Sequence, residues 1–363
     1  MKAPRTYFIA ALCASMFGLL SCQRDADLAE PSGTAWSGPT PYTLSYPAWL
    51  AAPSHTLANP ADNPLTVEGI ALGRKLFYEK ALSDDYSMSC ASCHQQEHAF
   101  SDPRVVSLGT DGSAGRRNSM AIINPGWDKF FFWDSRAPTL EMQALGPVAN
   151  MLEMRNTWPE VESRLAAHPE YPQLFEQVFG SPGVDSMRVV KAIAQFEQTF
   201  LSFNSRFDRY EYGGELTALT PQEITGRELF FGQAHCNDCH AAPFFMDNTM
   251  SSIGLQPGSA NDLGLWEVTD VHADAFLFKN TTLRNIAVTA PYMHDGRFAT
   301  LEEVVDFYVD SVSASAPNVS QHMMPFFDGG VALDAGQRAA LVAFLRSLTD
   351  TGFLTNPALS NPN

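Results

Sequence analysis

The chain carries the pattern Cys-x-x-Cys-His twice, as Cys90-Ala91-Ser92-Cys93-His94 and as Cys236-Asn237-Asp238-Cys239-His240. In this pattern two thiols can form thioether bonds to the vinyl groups of a haem, and the following imidazole then lies under the iron as its proximal ligand. We therefore predict two covalently bound haems c, one held in each half of the chain by the two cysteines and the histidine of its motif.

An exported protein would normally pair such cysteines as disulfides. Three other interpretations have to be weighed: a structural zinc ion could use both pairs, a redox-active dithiol could use one pair, and the pattern could arise by chance, although two chance occurrences in one chain are far less frequent than one. Zinc does not require the histidine that follows each pair, and neither flank shows the strand-helix-strand context of a dithiol. Haem attachment alone explains why each pair is followed by histidine.

The flanks of the two motifs also repeat, since Gly73-Arg74-Lys75-Leu76-Phe77 precedes the first and Gly226-Arg227-Glu228-Leu229-Phe230 precedes the second. Each half closes with apolar residues at helical spacing, namely Val189, Ile193, Phe196 and Phe200, and then Leu341, Phe344, Leu345 and Leu348. Alternating runs typical of strands are scarce. We predict a mainly α fold with two cytochrome c-like haem domains in tandem, over residues 44–215 and 216–355, each resembling a class I cytochrome c.

The first 22 residues have the pattern of a bacterial lipoprotein signal. Lys2 and Arg5 precede a mostly apolar stretch, residues 7–20, which is too short for a permanent membrane helix. The segment ends in Leu-Leu-Ser before Cys22, so Cys22 would be the lipidated first residue of the mature chain; a signal cleaved without lipidation is the alternative. Residues 23–43 are rich in Ser, Gly, Pro and Ala and predict a flexible tether. We expect a periplasmic protein attached to the membrane by its lipid alone.

The formal net charge of the chain is −17, from 23 Lys and Arg against 40 Asp and Glu. This balance argues against nucleic acid as a partner, because a phosphate backbone binds basic surfaces. A small basic protein is a more natural macromolecular partner.

Several motifs between and after the haem motifs are more specific in combination. They are Arg117-Asn118-Ser119, Phe132-Trp133-Asp134-Ser135-Arg136-Ala137, Gln143-Ala144, Glu153-Met154, Leu283-Arg284-Asn285 and Thr289-Ala290-Pro291-Tyr292-Met293-His294-Asp295-Gly296. Together they resemble the bacterial di-haem cytochrome c peroxidases and their relative MauG, over about residues 65–350.

The resemblance implies roles for individual residues. His94 and His240 match the proximal ligands, and Glu153 and Gln143 match the distal pair at the N-terminal haem, where a carboxylate can move the proton of a peroxide. Trp133 matches a tryptophan between the two haems. Judged without the resemblance, these last three would be a solvated loop acid, an exposed helical residue and a core aromatic.

The resemblance also implies a calcium ion at the junction of the halves, bound by Asn118 and by the backbone carbonyls of Thr289 and Pro291. Oxygen ligands of this kind suit a hard cation. His294 would lie beside the C-terminal haem, as a propionate or packing contact rather than an iron ligand.

The sequence departs from the peroxidase branch at the N-terminal haem. A histidine ligand of that branch is replaced by Thr110, which is a poor iron ligand, so we predict an open sixth position and no reductive activation step. His98 is the only nearby imidazole, and it is too close to His94 in sequence to reach the other face of a haem. Ser135 replaces a glycine, which questions the tightness of that turn.

A second departure lies at the C-terminal haem. Tyr308 stands where the peroxidases have a methionine and MauG has a tyrosine, so we predict a tyrosine ligand, which lowers the reduction potential. The alternatives are a core tyrosine with Met293, Met323 or Met324 as the ligand.

These observations favour an oxidoreductase that reduces hydrogen peroxide to water with electrons from a small redox protein, a cytochrome c or a cupredoxin. Electrons would enter near His240 and pass Trp133 to the haem at His94. The rivals are a MauG-like oxidase that modifies Tyr or Trp of a partner protein, and a di-haem electron carrier without catalysis. Association into a homodimer stays open.

Overall fold

The computed structural model describes residues 36–51, 55, 57, 60–256 and 262–362, and within them the chain is mainly helical, as predicted. Its α-helices are α1 (Val67–Phe77), α2 (Leu140–Ala149), α3 (Trp158–Ala167), α4 (Tyr171–Phe179), α5 (Ser186–Glu197), α6 (Arg206–Glu211), α7 (Pro221–Phe231), α8 (Trp266–Thr269), α9 (Leu301–Asp306), α10 (Ala335–Ser347) and α11 (Thr351–Leu354).

Shorter elements connect these helices. A π-helical turn, Phe307–Ser311, continues α9. The strands β1 (Met250–Ser251) and β2 (Phe278–Lys279) pair antiparallel, with Met250 opposite Lys279. Short 3-10 helices cover Ala48–Leu50, Lys80–Leu82, Cys90–Ser92, Gln96–His98, Pro125–Trp127, Cys236–Asp238, His272–Asp274, Ile286–Val288 and Gln321–Gly329.

The repeated glycines mark the same helix crossing in both halves. Helix α1 packs on α5, and α7 packs on α10. A Cβ atom on Gly73 would lie 1.8 Å from the carbonyl oxygen of Ala192, and one on Gly226 would lie 1.9 Å from that of Ala340. Only glycine lets the two backbones approach so closely, so the repeat in the sequence records a repeated contact.

Each half has its own hydrophobic core. In the first core Phe77, Phe196 and Phe200 form edge-to-face ring pairs, and in the second Phe230 and Phe344 pack together. Residues 38–363 nevertheless form one compact unit. The domain bounds 44–215 and 216–355 therefore stay a prediction.

The last residues of the chain return to the first half. Phe353 and Leu359 belong to the first core. The Tyr78 hydroxyl donates to the carbonyl of Leu359 at 2.7 Å, and the Gln96 amide donates to that of Asn356 at 2.9 Å. The first half is thus completed by residues that follow α10.

The predicted signal segment with Cys22 lies outside the described residues, as does the predicted tether up to residue 35. From Thr40 the chain contacts the start of α1, because Thr40 Oγ1 donates to Glu68 at 2.8 Å and Tyr42 pairs with Leu65. Among the residues that the structure describes, no helix is both long and apolar enough to cross a membrane.

Candidate di-haem site

A cavity of about 910 Å³ extends between the two Cys-x-x-Cys-His motifs. Its wall includes Cys93 and His94 from the first motif and Cys236, Cys239 and His240 from the second. Each motif begins in a 3-10 turn, Cys90–Ser92 or Cys236–Asp238, which brings the histidine back over the first cysteine. The structure therefore brings both predicted attachment motifs to one enclosed space.

The two histidines are oriented alike by backbone carbonyls. Nδ1 of His94 lies 2.7 Å from the oxygen of Phe100, and Nδ1 of His240 lies 3.1 Å from that of Phe245. A carbonyl can only accept, so Nδ1 carries the hydrogen and Nε2 keeps its lone pair free for a metal. Burial lowers the pKa of both imidazoles, which also favours the neutral ligand form.

These carbonyls are held in place by backbone that few side chains adopt. Phe100 has φ 58° and Phe245 has φ 55°, both in the left-handed region. Such strain persists only where the surroundings demand it, and here it occurs at equivalent places in both halves. The sequence does not predict the role of these two residues, because phenylalanine has no preference for a positive φ.

The thiols complete the match to haem c. All four described cysteines, Cys90, Cys93, Cys236 and Cys239, are unpaired, so neither motif forms a disulfide. Burial raises the pKa of Cys236 to about 12 and that of Cys239 to about 11, so both are neutral thiols in the absence of a bound group. Free thiols, imidazoles with an available Nε2 and a roomy cavity fit two covalently bound haems.

Two of the predicted distal residues line this cavity with His94. Gln143 comes from α2, and Glu153 comes from the turn that follows it. The Asn150 amide donates to Glu153 Oε1 at 2.6 Å and fixes the carboxyl group. Burial raises the pKa of Glu153, although the Asn150 hydrogen bond and the charge of Arg136 act in the opposite direction. A partly dry carboxyl group of this kind can exchange protons with a substrate.

The segment around Thr110 packs behind the turn that carries Glu153. The Thr110 amide donates to the Glu153 carbonyl at 3.0 Å, while Thr110 Oγ1 is buried without a hydrogen-bond partner among the described residues. Thr110 and His98 are not among the residues that line the cavity, and Nδ1 of His98 lies 3.2 Å from the carbonyl of Val288. The open sixth position at the N-terminal haem stays a prediction, and this geometry is compatible with it.

Trp133 lies in the cavity wall beside residues of the second half. Its Nε1 donates to the carbonyl of Asn118 at 2.9 Å. Its ring is 6.4 Å from that of His294, edge to face, and the His294 ring stacks on Phe278 at 3.8 Å. The location of Trp133 between the haems stays a prediction, and the His294 ring packs on the rings of Trp133 and Phe278.

Trp133 and His294 occupy equivalent positions in a repeated turn, which the sequence reasoning also missed. Residues 131–137 and 292–298 each close with an antiparallel bridge between their ends. In each turn an Asp pairs with the Arg two residues later, at 2.9 Å between Asp134 and Arg136 and at 2.5 Å between Asp295 and Arg297. Recognising the turn needs only the shared Asp-x-Arg spacing.

The turn answers the question raised by Ser135. Ser135 has φ 62°, close to the φ of 65° at its counterpart Gly296. The serine therefore adopts the left-handed conformation that glycine takes in the other half, and the turn stays as tight. The substitution carries backbone strain rather than a change of path.

Tyr308 lies in the π-helical turn and lines the cavity near the second motif. Its ring packs on Phe307 and Phe326. Burial raises the pKa of Tyr308, so a phenolate here requires a nearby cation such as a haem iron. Of the alternative ligands, Met293 and Met323 also line the cavity.

Met324 is 59% exposed and is not among the residues that line the cavity. His322 does line it, and sequence reasoning did not consider this residue. The described geometry thus leaves Tyr308, Met293 and Met323 within the cavity wall and moves Met324 outside it.

The residues of the predicted calcium site line the same cavity, since Asn118, Thr289 and Pro291 all contribute to its wall. The Asn118 amide donates to the carbonyls of Arg104 and Val105, each at 3.1 Å. Within the part of the chain that the structure describes, no cluster of three His, Cys, Asp or Glu side chains is arranged for a metal ion. Calcium stays a prediction that depends on backbone oxygens.

Two buried charged residues of the cavity wall were missed. Lys279 forms a 2.7 Å ion pair with Asp128, and Glu197 ends α5 with 3% exposure. Glu197 follows Ile193 by four residues, so it lies on the apolar face of its helix. The sequence signal that could have identified Glu197 is an acidic residue on the otherwise apolar face of this helix.

Comparisons with known proteins agree with this geometry. The family model described as di-haem cytochrome c peroxidase matches residues 67–216. The methylamine utilization protein MauG of Methylorubrum extorquens is 35% identical over 306 residues, which are 84% of this chain and 85% of that protein. Cytochrome c551 peroxidase of Nitrosomonas europaea is 37% identical over 249 residues, 68% of this chain and 74% of the relative.

A solved structure extends the likeness to the fold. The crystal structure of a MauG-like protein associated with microbial copper homeostasis superposes with a TM-score of 0.79 and 34% identity, over 88% of this chain and 99% of that one. These relatives are therefore similar to this chain along most of their length. The chain belongs to the family of di-haem cytochrome c peroxidases and MauG proteins, whose members bind two haems c.

Proposed function

We propose that this chain reduces hydrogen peroxide to water at the haem held by His94, with electrons delivered by a small redox protein. The observation that carries the proposal is the presence of Glu153 and Gln143 in the wall of the cavity that His94 also lines. Tyr308, Met323 and Phe326 of the C-terminal half also line this cavity. We therefore place the peroxide chemistry in the N-terminal half, where Glu153 and Gln143 lie.

Glu153 and Gln143 supply the proton transfer and the orientation that the reaction needs. When bound, haem supplies an iron that can bind a peroxide and exchange electrons with it. Glu153 takes the proton from one peroxide oxygen and returns it to the oxygen that leaves. The Gln143 amide orients the peroxide or a water molecule by hydrogen bonding. Asn150 holds the carboxyl group of Glu153 in place for this transfer.

Electrons would reach this half from a haem held by His240, with Trp133 as the route. Trp133 lines the cavity that both motifs line, and its indole is held by the carbonyl of Asn118 and by the edge of His294. A fixed aromatic ring between two redox centres offers a route for electrons. The chain has a net charge of −17, so a basic cytochrome c or cupredoxin is the donor that electrostatics favours.

The test is the peroxide-dependent oxidation of reduced cytochrome c by the protein with both haems bound. We expect Glu153→Gln to lower kcat/KM by about 10² to 10⁴-fold, the usual contribution of a general acid-base group. Glu176→Gln, an exposed glutamate of α4, is the matched control and should behave as the parent protein. A Glu153→Gln variant with full activity would contradict the proposal.

A second function is favoured by Tyr308, which matches the tyrosine of MauG rather than the methionine of the peroxidases. This function is the oxidation of a Tyr or Trp side chain in a partner protein. It requires an oxidised state that persists after peroxide is added, together with slow turnover of cytochrome c. Stopped-flow spectra recorded without a donor distinguish the two functions, because a peroxidase would show rapid turnover when reduced cytochrome c is then supplied. A fully six-coordinate ferric spectrum would instead indicate an electron carrier.

We further propose the periplasmic side of a bacterial membrane as the location, with lipid on Cys22, and one calcium ion at Asn118, Thr289 and Pro291. The lipoprotein-like end of the signal segment supports the first, and the shared cavity wall of the three residues supports the second. Mass spectrometry of the mature N-terminus tests the anchor, and metal analysis after chelation tests calcium. Sedimentation at several concentrations tests whether the chain associates into a homodimer.

A further inference from the structure

Glu197 is a buried acid that none of the steps above uses. It lines the cavity with His94 and Glu153, at 3% exposure, and no described residue donates a hydrogen bond to its Oε2, which is shielded from solvent. A buried carboxylate is normally paired with a cation or satisfied by several donors. An acid left without either has a raised pKa, because burial disfavours its charged form.

The charged groups around α5 leave Glu197 without a cation. Helices α1, α2 and α3 pack against α5. Apart from Glu141, the other ionisable side chains of these three helices and of α5 have partners other than Glu197. The pairs are Glu68 with Thr40, Arg74 with Ser360, Lys75 with Glu170, Glu160 with Arg164, Glu162 with Ser186, Arg188 with Asp185 and Lys191 with Asp62.

Glu141 is the acid that faces Glu197 from α2, and Cys90 is the other ionisable neighbour. Glu141 is itself buried, and its Oε1 accepts a 2.7 Å hydrogen bond from the Asn63 amide. Burial and repulsion from Glu141 raise the pKa of Glu197 to about 8. Because that pKa lies above neutrality, the protonated form is present at neutral pH and is lost as the pH rises through it.

We infer that Glu197 is a redox-linked proton-holding residue of the N-terminal haem, an inference that rests on haem being bound at His94 as proposed. Adding one electron to a centre in the same cavity makes the site more negative, which favours the protonated acid. At and above the pKa of Glu197, where the oxidised protein holds this group at least partly as the carboxylate, Glu197 therefore takes up one proton from solvent as one electron arrives from the donor, and it releases that proton when the electron leaves. Reduction of one peroxide consumes two electrons and two protons and forms two waters, so loading them together keeps the buried site neutral.

The test is the pH dependence of the midpoint potential of the N-terminal haem, in the full protein with both haems. It is measured in the Glu153→Gln background, so that the catalytic carboxyl group does not contribute. We expect the potential to fall with rising pH, by at most about 59 mV for each tenfold fall in proton concentration. Adding Glu197→Gln should flatten this dependence, whereas adding Glu176→Gln should leave it unchanged. Equal slopes with and without Glu197 would overturn the inference.

Two further measurements guard against a variant that fails to fold. Glu141→Gln should move the pH range of the effect downward, because it removes the repulsion that keeps Glu197 protonated. In the otherwise unaltered protein, at a pH above the pKa of Glu197, the infrared difference spectrum on reduction should gain the carbonyl band of a protonated carboxylic acid, and Glu197→Asp should shift it. Absence of the band would overturn the inference.

These outcomes are separable from failure of the proposed function. If the protein shows no peroxide turnover but its midpoint potential still depends on pH through Glu197, the inference stands and the proposed peroxidase function fails. If the protein turns over peroxide but the pH dependence of its midpoint potential does not involve Glu197, the proposed function stands and the inference fails.

Discussion

The two halves of the molecule share a scaffold and differ in what they place on the cavity wall. Both cross their helices at a glycine, both orient the histidine through a left-handed phenylalanine, and both use the Asp-x-Arg turn. The N-terminal half adds Gln143, Glu153 and Glu197 to the wall, whereas the C-terminal half adds Tyr308 and Met323. Under the proposed function, this difference would place the peroxide chemistry in the N-terminal half and the entry of electrons in the C-terminal half.

The largest expected effect tests this separation through pH. Burial raises the pKa of Glu153. As the pH falls, its carboxylate is therefore protonated at a higher pH than that of an ordinary glutamate. If the carboxylate is the working form, kcat/KM for peroxide falls about tenfold per pH unit below that pKa. Steady-state rates across the acid range measure it, and Glu153→Gln should lack this limb. An unchanged acid limb in the variant would assign the titration to another group.

The next effect concerns the ligand of the C-terminal haem. Tyr308→Phe removes the phenol oxygen, so a second high-spin ferric signal should appear and the potential of that haem should rise on the order of 0.1 V. Electron paramagnetic resonance and a redox titration measure both changes. Met323→Leu is the matched control in the same cavity wall. If Met323→Leu produces the new signal and Tyr308→Phe does not, methionine is the ligand and the comparison between the halves weakens.

A stability test addresses the shared scaffold. Gly73→Ala and Gly226→Ala each place a Cβ atom within 2 Å of a backbone carbonyl oxygen, at 1.8 Å and 1.9 Å. Each change should lower the free energy of unfolding by about 1 to 3 kcal/mol or more, measured by guanidinium unfolding. Gly146→Ala is the control, because its Cβ would meet only Phe132 at 3.5 Å and alanine favours a helix. Unequal losses at the first two sites would mean that the crossings are not equivalent.

The smallest effect lies in the repeated turn. Ser135→Gly should raise the free energy of unfolding by about 0.5 to 1 kcal/mol, because glycine relieves the strain at φ 62°. Gly296→Ser should lower it by more, since a Cβ there would lie 2.7 Å from the Val105 carbonyl oxygen. Thermal unfolding compares the pair. A destabilised Ser135→Gly variant would show that the serine side chain makes a contact the turn depends on.

The covalent motif explains why so much of the site was predictable. Haem attachment requires Cys90, Cys93 and His94 at fixed spacing, so the sequence states the chemistry directly. Gln143 and Glu153 were found through the family resemblance, because their own surroundings in sequence look like any helix and turn. The mainly helical fold was predicted from apolar spacing, which is a local property.

The remainder depends on contacts that are distant in the sequence. The left-handed backbone of Phe100 and Phe245 is imposed by packing, and no residue preference predicts it. Glu197 was hidden inside an apolar helix pattern, and its neighbour Glu141 is brought to it only by the packing of α2 on α5.

The return of the last residues to the first core has a consequence for biosynthesis. The ribosome makes the N-terminal half first, yet Phe353 and Leu359, which fill part of its interior, are made only after α10. The core of the first half therefore cannot close with its own residues alone. A polypeptide that stops before Phe353 would leave apolar side chains of that core uncovered.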